Sequence, residues 1–235
     1  KILDVAGQKG TGKWSAIAAM DENDPLTLIT EAVYARLLSA LYPERIKAAS
    51  LYSGKLKVES GKLSDNAQLS IEDVRQALYA AKLISYAQGF SLLRHASEHY
   101  GWDLDYGTIA RIWRKGCIIR SVFLQKITEA YRKDPDLENL LFDDFFHTKI
   151  QEALPACRRV VAEGALSGVA LPAMSSALNY FDGLRTLYSA ANMIQAQRDY
   201  FGAHTYERTD RERGHFFHTN WTGEGGNTVS GTYSV

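Results

Sequence analysis

Between Ser70 and Tyr100 the chain reads SIEDVRQALYAAKLISYAQGFSLLRHASEHY, and this stretch limits the possible fold more than any other. Val74, Leu78, Leu83, Tyr86, Phe90 and Leu93 keep helical spacing for most of its length. Ser70 is placed to cap the helix, with Asp73 at the third helical position in a variant of the capping box. An element approaching ~30 residues is long for a globular helix. Gly89 in its interior predicts close helix packing, because glycine otherwise costs about 1 kcal/mol there.

The rest of the chain repeats the helical signature. Asp24 is expected to cap a helix with Pro25 at its first position, followed by a stripe of Leu26, Ile29, Val33, Leu37 and Leu41. Residues 43–69 read as loop, with SGKLKVESGKLSDNAQ rich in Ser, Lys and Gly. DYGTIARIWRKG predicts a short helix capped by Asp105 and ended at Gly116. IIRSVFLQKITEAYRKDP predicts another, stopped before Pro135. LENLLFDDFFHTKIQEALPACRRVVAEGALSG predicts two more, the second kinked at Pro155, and a long helical pattern runs from Pro172 through PAMSSALNYFDGLRTLYSAANMIQAQRDYFG. No strand series and no βαβ alternation is visible, so the fold class is all-α.

Residues 205–235 differ. They carry no helical stripe and are rich in Gly, Thr and Ser, yet they hold Phe216, Phe217, Trp221 and Tyr233. A solvated tail seldom carries so many aromatics, which predicts docking on another surface such as a second subunit. The expected organisation is a helical domain over 1–204 and an extended tail over 205–235.

Charge and cysteine content narrow the function. Lys plus Arg and Asp plus Glu number 27 each, so there is no whole-chain basic field for nucleic acid, and any anion site is local. Two cysteines, Cys117 and Cys157, make neither a disulfide framework nor a zinc site and suit a reducing, cytoplasmic compartment. No apolar run reaches the ~18 residues of a membrane span. The chain opens KILDVAGQ without an initiating Met, which leaves room for a longer protein.

Near that start, GQKGTGKW completes G-x-x-x-x-G-K from Gly7 through Gly12 to Lys13. A phosphate-binding P-loop needs Ser or Thr next, to hold Mg²⁺; here it is Trp14, with Ser15 one residue late. KILDVA fits a leading strand, but AIAAMDEND gives no clear helix opening on the loop glycines, and no later strand supplies an Asp for the metal. Two readings stay open on these residues: a loop whose amides, hydroxyl and lysines receive an oxyanion, and a solvated Gly-Lys turn.

Several long motifs in order then point one way. KGTGKW at 9–14, GCIIRSVFLQKI at 116–127 and IQAQRDYFGAHTY at 194–206 resemble the helical C-terminal part of the decarboxylating 6-phosphogluconate dehydrogenase family, of the pentose phosphate pathway. SLLRHASEHYGWDLDYGTIARIWRKG and the ending HTNWTGEGGNTVSGTYSV resemble it too. The resemblance implies a homodimer in which a Rossmann domain for NADP precedes a helical domain for dimerisation and substrate. It implies oxidation of the substrate's 3-hydroxyl, loss of CO₂ from the β-keto acid and protonation of the enediol to ribulose 5-phosphate, without a metal. No G-x-G-x-x-G follows a predicted strand here, so the Rossmann domain is expected to be absent from these residues; the resemblance further implies that the family's catalytic lysine and glutamate lie upstream of Lys1. The segment alone is expected to be inactive.

The resemblance implies a substrate clamp. Lys9 and Thr11 lie in the family's loop, Arg36 in AVYARLL matches its phosphate-gripping arginine, and Arg198 and His204 match residues that reach the partner subunit's active site. Ser230, Gly231, Thr232 and Tyr233 resemble a segment that approaches the partner's NADP. The chemistry agrees, since 6-phosphogluconate carries roughly three negative charges and arginine offers forked donors to phosphate where lysine is a point charge. Arg198 and His204 are six apart, on different faces of a continuous helix, and Gly202 is expected to let the chain leave between them. Taken singly, Arg36 is an ordinary helix charge, Arg198 a helix C-terminal cation and His204 a surface or packed histidine.

Other candidates read as structural. His147 beside Asp143 and Asp144 has no second histidine at ligand spacing. Asn220-Trp221-Thr222 fits a glycosylation pattern that a cytosolic protein would not use, and Cys117 is expected to pack rather than react. Competing functions are a related β-hydroxyacid dehydrogenase, whose smaller substrate would need fewer cations, and a non-catalytic helical dimerisation module.

Overall fold

A computed structural model describes residues 2–52, 69–114, 119 and 121–224. The expectations on Gly116, Cys117, Ser230, Gly231, Thr232, Tyr233 and most of the 43–69 loop lie outside them. The described chain is helical apart from one small hairpin, with helices α1 (Thr11–Asp21), α2 (Thr27–Ala40), α3 (Tyr42–Tyr52), α4 (Ile71–Tyr100), α5 (Tyr106–Ile112), α6 (Leu124–Lys133), α7 (Asp144–Leu166), α8 (Pro172–Leu184) and α9 (Ala191–Gly202). The all-α expectation holds. Two compact units divide between Asp182 and Gly183, so α9 belongs with the residues that follow it. No described helix is long and apolar enough to cross a membrane.

The first unit is built on α4 packed along α7. The capping box forms as expected: Asp73 N–H donates to Ser70 Oγ (3.0 Å) and Ser70 N–H to Asp73 Oδ2 (2.9 Å). Only part of the expected stripe faces the core: Leu83, Tyr86 and Phe90 are buried, whereas Val74 and Leu78 are 48% and 58% exposed. Ala77, Ala80, Ala81 and Ala87 are buried instead, with Leu83, Ile84, Tyr86 and Phe90. Small side chains let helix axes approach, but alanine is a weak hydrophobic signal in sequence. A Cβ at Gly89 would meet nothing within 4 Å, so this glycine does not mark close packing against a described element.

Leu124 and Ile127 of α6, Leu140 of a 3₁₀ turn (Leu140–Phe142), and Phe146 and Ile150 of α7 complete the core. Phe90 lies against Trp113 and Tyr131, with ring centroids 5.5 Å and 5.3 Å away. Asp105 caps α5 through Thr108 N–H (2.8 Å), α6 ends before Pro135, and α7 runs continuously through Pro155.

Several boundaries differ from expectation. Residues 42–52 are helix rather than loop, and the described residues before α1 form no strand. Asp24 does not cap α2: that helix starts at Thr27, and Asp24 is buried against Ser91 and His95 of α4. The long pattern from Pro172 breaks into α8 and α9. There Thr186 N–H closes a turn on Gly183 O (3.2 Å) and Ser189 Oγ accepts from Ala191 N–H (3.3 Å). Such side-chain bonds compete with helix continuation.

In the second unit, β1 (Tyr206–Glu207) pairs antiparallel with β2 (Phe216–Phe217), Tyr206 opposite Phe217. The expected domain boundary after residue 204 falls just before this hairpin.

Candidate functional site

The GQKGTGKW segment is tied along α2 and α3. Arg45 Nη1 donates to Asp4 O and to Ser39 O, 3.1 Å each. Ala6 N–H donates to Ser39 Oγ (2.9 Å), and the Arg36 guanidinium donates to Gly7 O. The chain then turns at Gly10, whose φ of 105° favours glycine, and α1 begins at Thr11. The loop does open directly on a helix, contrary to expectation. A Cβ at Gly12 would stand 2.8 Å from Val33 Cγ2, so α1 lies hard against α2 at that point.

Three of the expected substrate residues are thereby gathered on one short stretch of the first unit. Arg36 bonds the loop backbone at Gly7, Lys9 follows two residues later, and Thr11 opens α1. All three are exposed. The first N–H groups of a helix lack intrahelical acceptors, and no side-chain cap serves α1. Backbone donors, one hydroxyl and two cations together suit an oxyanion. Ser15 Oγ, one residue past the position a P-loop hydroxyl takes, donates back to Thr11 O (3.0 Å) within α1.

Arg198 and His204 sit in the second unit. Arg198 is half-buried on α9 and donates to Gln195 Oε1 (2.7 Å). The chain leaves α9 through Ala203, in the left-handed region at φ 49°, rather than through Gly202. The role of Gly202 is space: a Cβ there would lie 2.6 Å from His204 Cδ2 and 2.7 Å from Nε2. The imidazole thus folds back over the end of α9.

Between the two sites in sequence lies a residue the pattern reading missed. Asp199 is fully buried and accepts three hydrogen bonds of 2.9 Å, from His218 Nδ1, Thr219 N–H and Trp221 Nε1. Burial alone would push its carboxyl upward, but the Thr219, His218 and Trp221 donors outweigh it and hold the group below the usual Asp range. Part of the aromatic tail therefore rests on α9 of its own chain. An acid beside an arginine in QRDYFG carries no periodic signal, and its partners lie some twenty residues on.

Residues 1–221 match the family model described as 6-phosphogluconate dehydrogenase, C-terminal domain. The chain belongs to the 6-phosphogluconate dehydrogenase family. A decarboxylating 6-phosphogluconate dehydrogenase of Aggregatibacter actinomycetemcomitans is 53% identical over 235 residues, covering 100% of this chain and 48% of that one. One from Rattus norvegicus matches with the same figures, 53%, 100% and 48%. The Plasmodium falciparum 6-phosphogluconate dehydrogenase, solved in its apo form, with its cofactor NADP⁺ and with its substrate 6-phosphogluconate, superposes with a TM-score of 0.83. It is 41% identical and covers 94% of this chain and 46% of its own. The chain spans about half the length of the curated 6-phosphogluconate dehydrogenases it matches.

Within this 6-phosphogluconate dehydrogenase domain the remaining candidates have structural partners. Asp143 caps α7 through Phe145 N–H (3.0 Å) and Phe146 N–H (3.4 Å), Asp144 pairs with Lys133 (2.6 Å), and His147 meets Gln151 (3.2 Å). Among the described residues no three His, Cys, Asp or Glu side chains gather as metal ligands would. Trp221, inside the Asn-Trp-Thr tripeptide, uses its indole N–H on Asp199.

Proposed function

We propose that this chain is the substrate-holding and dimerisation part of a cytoplasmic enzyme that oxidatively decarboxylates 6-phosphogluconate to ribulose 5-phosphate. Lys9, Thr11 and Arg36 hold the anionic substrate. Arg198 and His204 reach into the site of a second copy, the tail over 205–235 docks on that copy while His218, Thr219 and Trp221 stay bonded to Asp199 of their own chain, and Ser230, Gly231, Thr232 and Tyr233 approach its NADP. No lysine or glutamate of this chain is assigned the roles of catalytic base or acid.

One observation carries the reading: the Arg36 guanidinium bonds the backbone of the loop that bears Lys9 and Thr11. Arginine has five donors in a fixed fork, so one bond to Gly7 O is compatible with gripping phosphate through the others. Lys9 adds a compact charge, and Thr11 a hydroxyl at the positive end of α1. NADP, when bound, supplies the hydride acceptor. The part of this chain is to orient the substrate, and positioning of that kind lowers barriers by many kcal/mol.

The test is NADPH formation, followed by absorbance, when full-length protein meets 6-phosphogluconate and NADP. Turnover is expected, and Arg36→Ala should raise the KM for 6-phosphogluconate by about tenfold or more, since a hydrogen bond to a charged group contributes about 1.5–3 kcal/mol. A folded dimer that makes no NADPH would overturn the reading, and an unchanged KM would remove Arg36 from the site.

A further inference from the structure

We infer that the α1–α2 hairpin is set in register by a buried polar latch on α4, with Gln88 and Asp24 as positioning residues. The inference rests on the substrate role proposed for Lys9, Thr11 and Arg36, which this hairpin carries.

The hairpin has little apolar anchorage of its own. α2 buries none of its residues fully and α1 buries only Ala19. What enters the interior is the turn between them, where Asp24 and Leu26 are 7% and 3% exposed. The α4 surface that meets this turn is mixed: Leu92, Leu93 and Ala96 line an apolar groove with Ala18 and Glu22, and a polar row runs beside them. Gln88, Ser91, His95 and His99 fall at three- and four-residue spacing along one face of α4.

Gln88 is fully buried, and both ends of its amide are used. Its Oε1 accepts from Leu28 N–H (3.1 Å), and its Nε2 donates to Thr27 Oγ1 (2.9 Å) and Pro25 O (3.2 Å). Leu26 occupies the N-cap position of α2 and offers no side-chain acceptor. Leu28 is the second residue of that helix, one of the positions an N-cap oxygen serves. Gln88 therefore caps α2 from another helix.

One turn further along α4, Ser91 Oγ donates to Asp24 Oδ2 (2.7 Å) and His95 Nδ1 meets the same oxygen (2.8 Å). Arg94 Nη2 lies 3.1 Å from His95 Nε2. Arginine can only donate, so Nε2 accepts and the ring hydrogen sits on Nδ1, facing Asp24. His99 Nδ1 continues the row to Glu22 Oε2 (2.8 Å). Apolar contacts tolerate sliding, whereas buried hydrogen bonds fix direction and leave costly unpaired groups when broken. The latch thus gives the hairpin, and with it Lys9, Thr11 and Arg36, one orientation on the bundle.

The experiment compares Gln88→Leu, Asp24→Ala and Asp24→Asn in the full-length protein. The first two should raise the KM for 6-phosphogluconate about tenfold or more while kcat and the KM for NADP stay within about threefold, because a displaced Lys9, Thr11 or Arg36 gives up hydrogen bonds to a charged ligand that contribute about 1.5–3 kcal/mol each. Asp24→Asn keeps an oxygen for Ser91 and His95 and should return most of the loss. A purely structural role would lower the thermal midpoint without separating KM from kcat. Hydrogen exchange supplies a readout independent of turnover: amides of α1 and α2 should exchange faster in Gln88→Leu, with α7 unchanged. An unchanged KM in both disruptive variants, or exchange rising evenly through α7, overturns the latch. A wild-type protein that makes no NADPH overturns the proposed function instead, and the exchange pattern then decides the latch alone.

Discussion

The α4–α7 core and the second unit reach order by opposite means. In the core, Leu83, Ile84, Phe90, Leu124, Ile127, Leu140, Phe146 and Ile150 are essentially removed from water. Each contributes on the order of 1.5–3 kcal/mol, without direction. In the second unit, Asp199 is the one buried residue among the described positions. Three donors converge on its carboxylate, and every one comes from residues 218–221. Stability in the first region is spread over many side chains, and in the second it is concentrated on one.

The sharpest way to break this contrast is to remove one large member of each region. Phe146→Ala should lower the unfolding free energy by about 3–5 kcal/mol, through lost transfer energy and the cavity left behind. Denaturant unfolding would measure it, and a loss below about 1 kcal/mol would mean the core around Phe146 collapses freely.

Asp199→Ala should act locally instead. It strands the Thr219 amide and the Trp221 and His218 ring N–H groups, at about 1–3 kcal/mol. Exchange protection over 216–221 should fall while the midpoint of the first unit stays in place. pH offers a gentler probe. Because the folded pKa of Asp199 lies below its ordinary value, its contribution is complete above the unfolded range near about 4 and is lost as pH falls through the folded value. Asp199→Asn should remove the share of the acid limb that Asp199 carries, while Glu207, held below its usual range by the Gly214 amide and Arg213, and Asp210, held low by Arg208, keep theirs; an acid limb of unchanged size would mean that Asp199 does not contribute to it.

This difference also decides what was legible in the sequence. Helices with strong local punctuation announce themselves: Ser70 and Asp73 start α4, Asp105 starts α5, and Pro135 lies beyond the end of α6. Their signals sit within a few residues of the event. The buried alanines of α4 were invisible because periodicity weights large side chains, and Val74 and Leu78, which looked like core, face outward. α1 was missed because its helix opens on glycines, and Gly10 and Gly12 answer to a turn and to Val33 rather than to helix propensity. Gln88 and Asp199 pair with groups about sixty and twenty residues away, and no local pattern encodes such partners. The clamp residues Lys9, Thr11, Arg36, Arg198 and His204 were named through the resemblance, since each one alone reads as an ordinary charged or polar position.

The smallest expected effect on stability is the most informative about the site. Gly202→Ala improves the helix propensity of α9 by up to about 1 kcal/mol. The new Cβ would also stand 2.6 Å from His204 Cδ2, which the ring must vacate. The clashing atoms are the far end of a side chain that rotates about two bonds, so the ring can yield by giving up the contact it makes there, and the gain and the loss together leave stability within about 1 kcal/mol of the parent. The imidazole, however, no longer folds over the end of α9. If His204 reaches substrate in a second copy, the KM for 6-phosphogluconate should rise severalfold with no loss of thermal midpoint, and the His204 ring resonances should shift. An unchanged KM with shifted resonances would mean that the orientation of His204, set by the missing Cβ at Gly202, serves the packing of the second unit rather than the substrate.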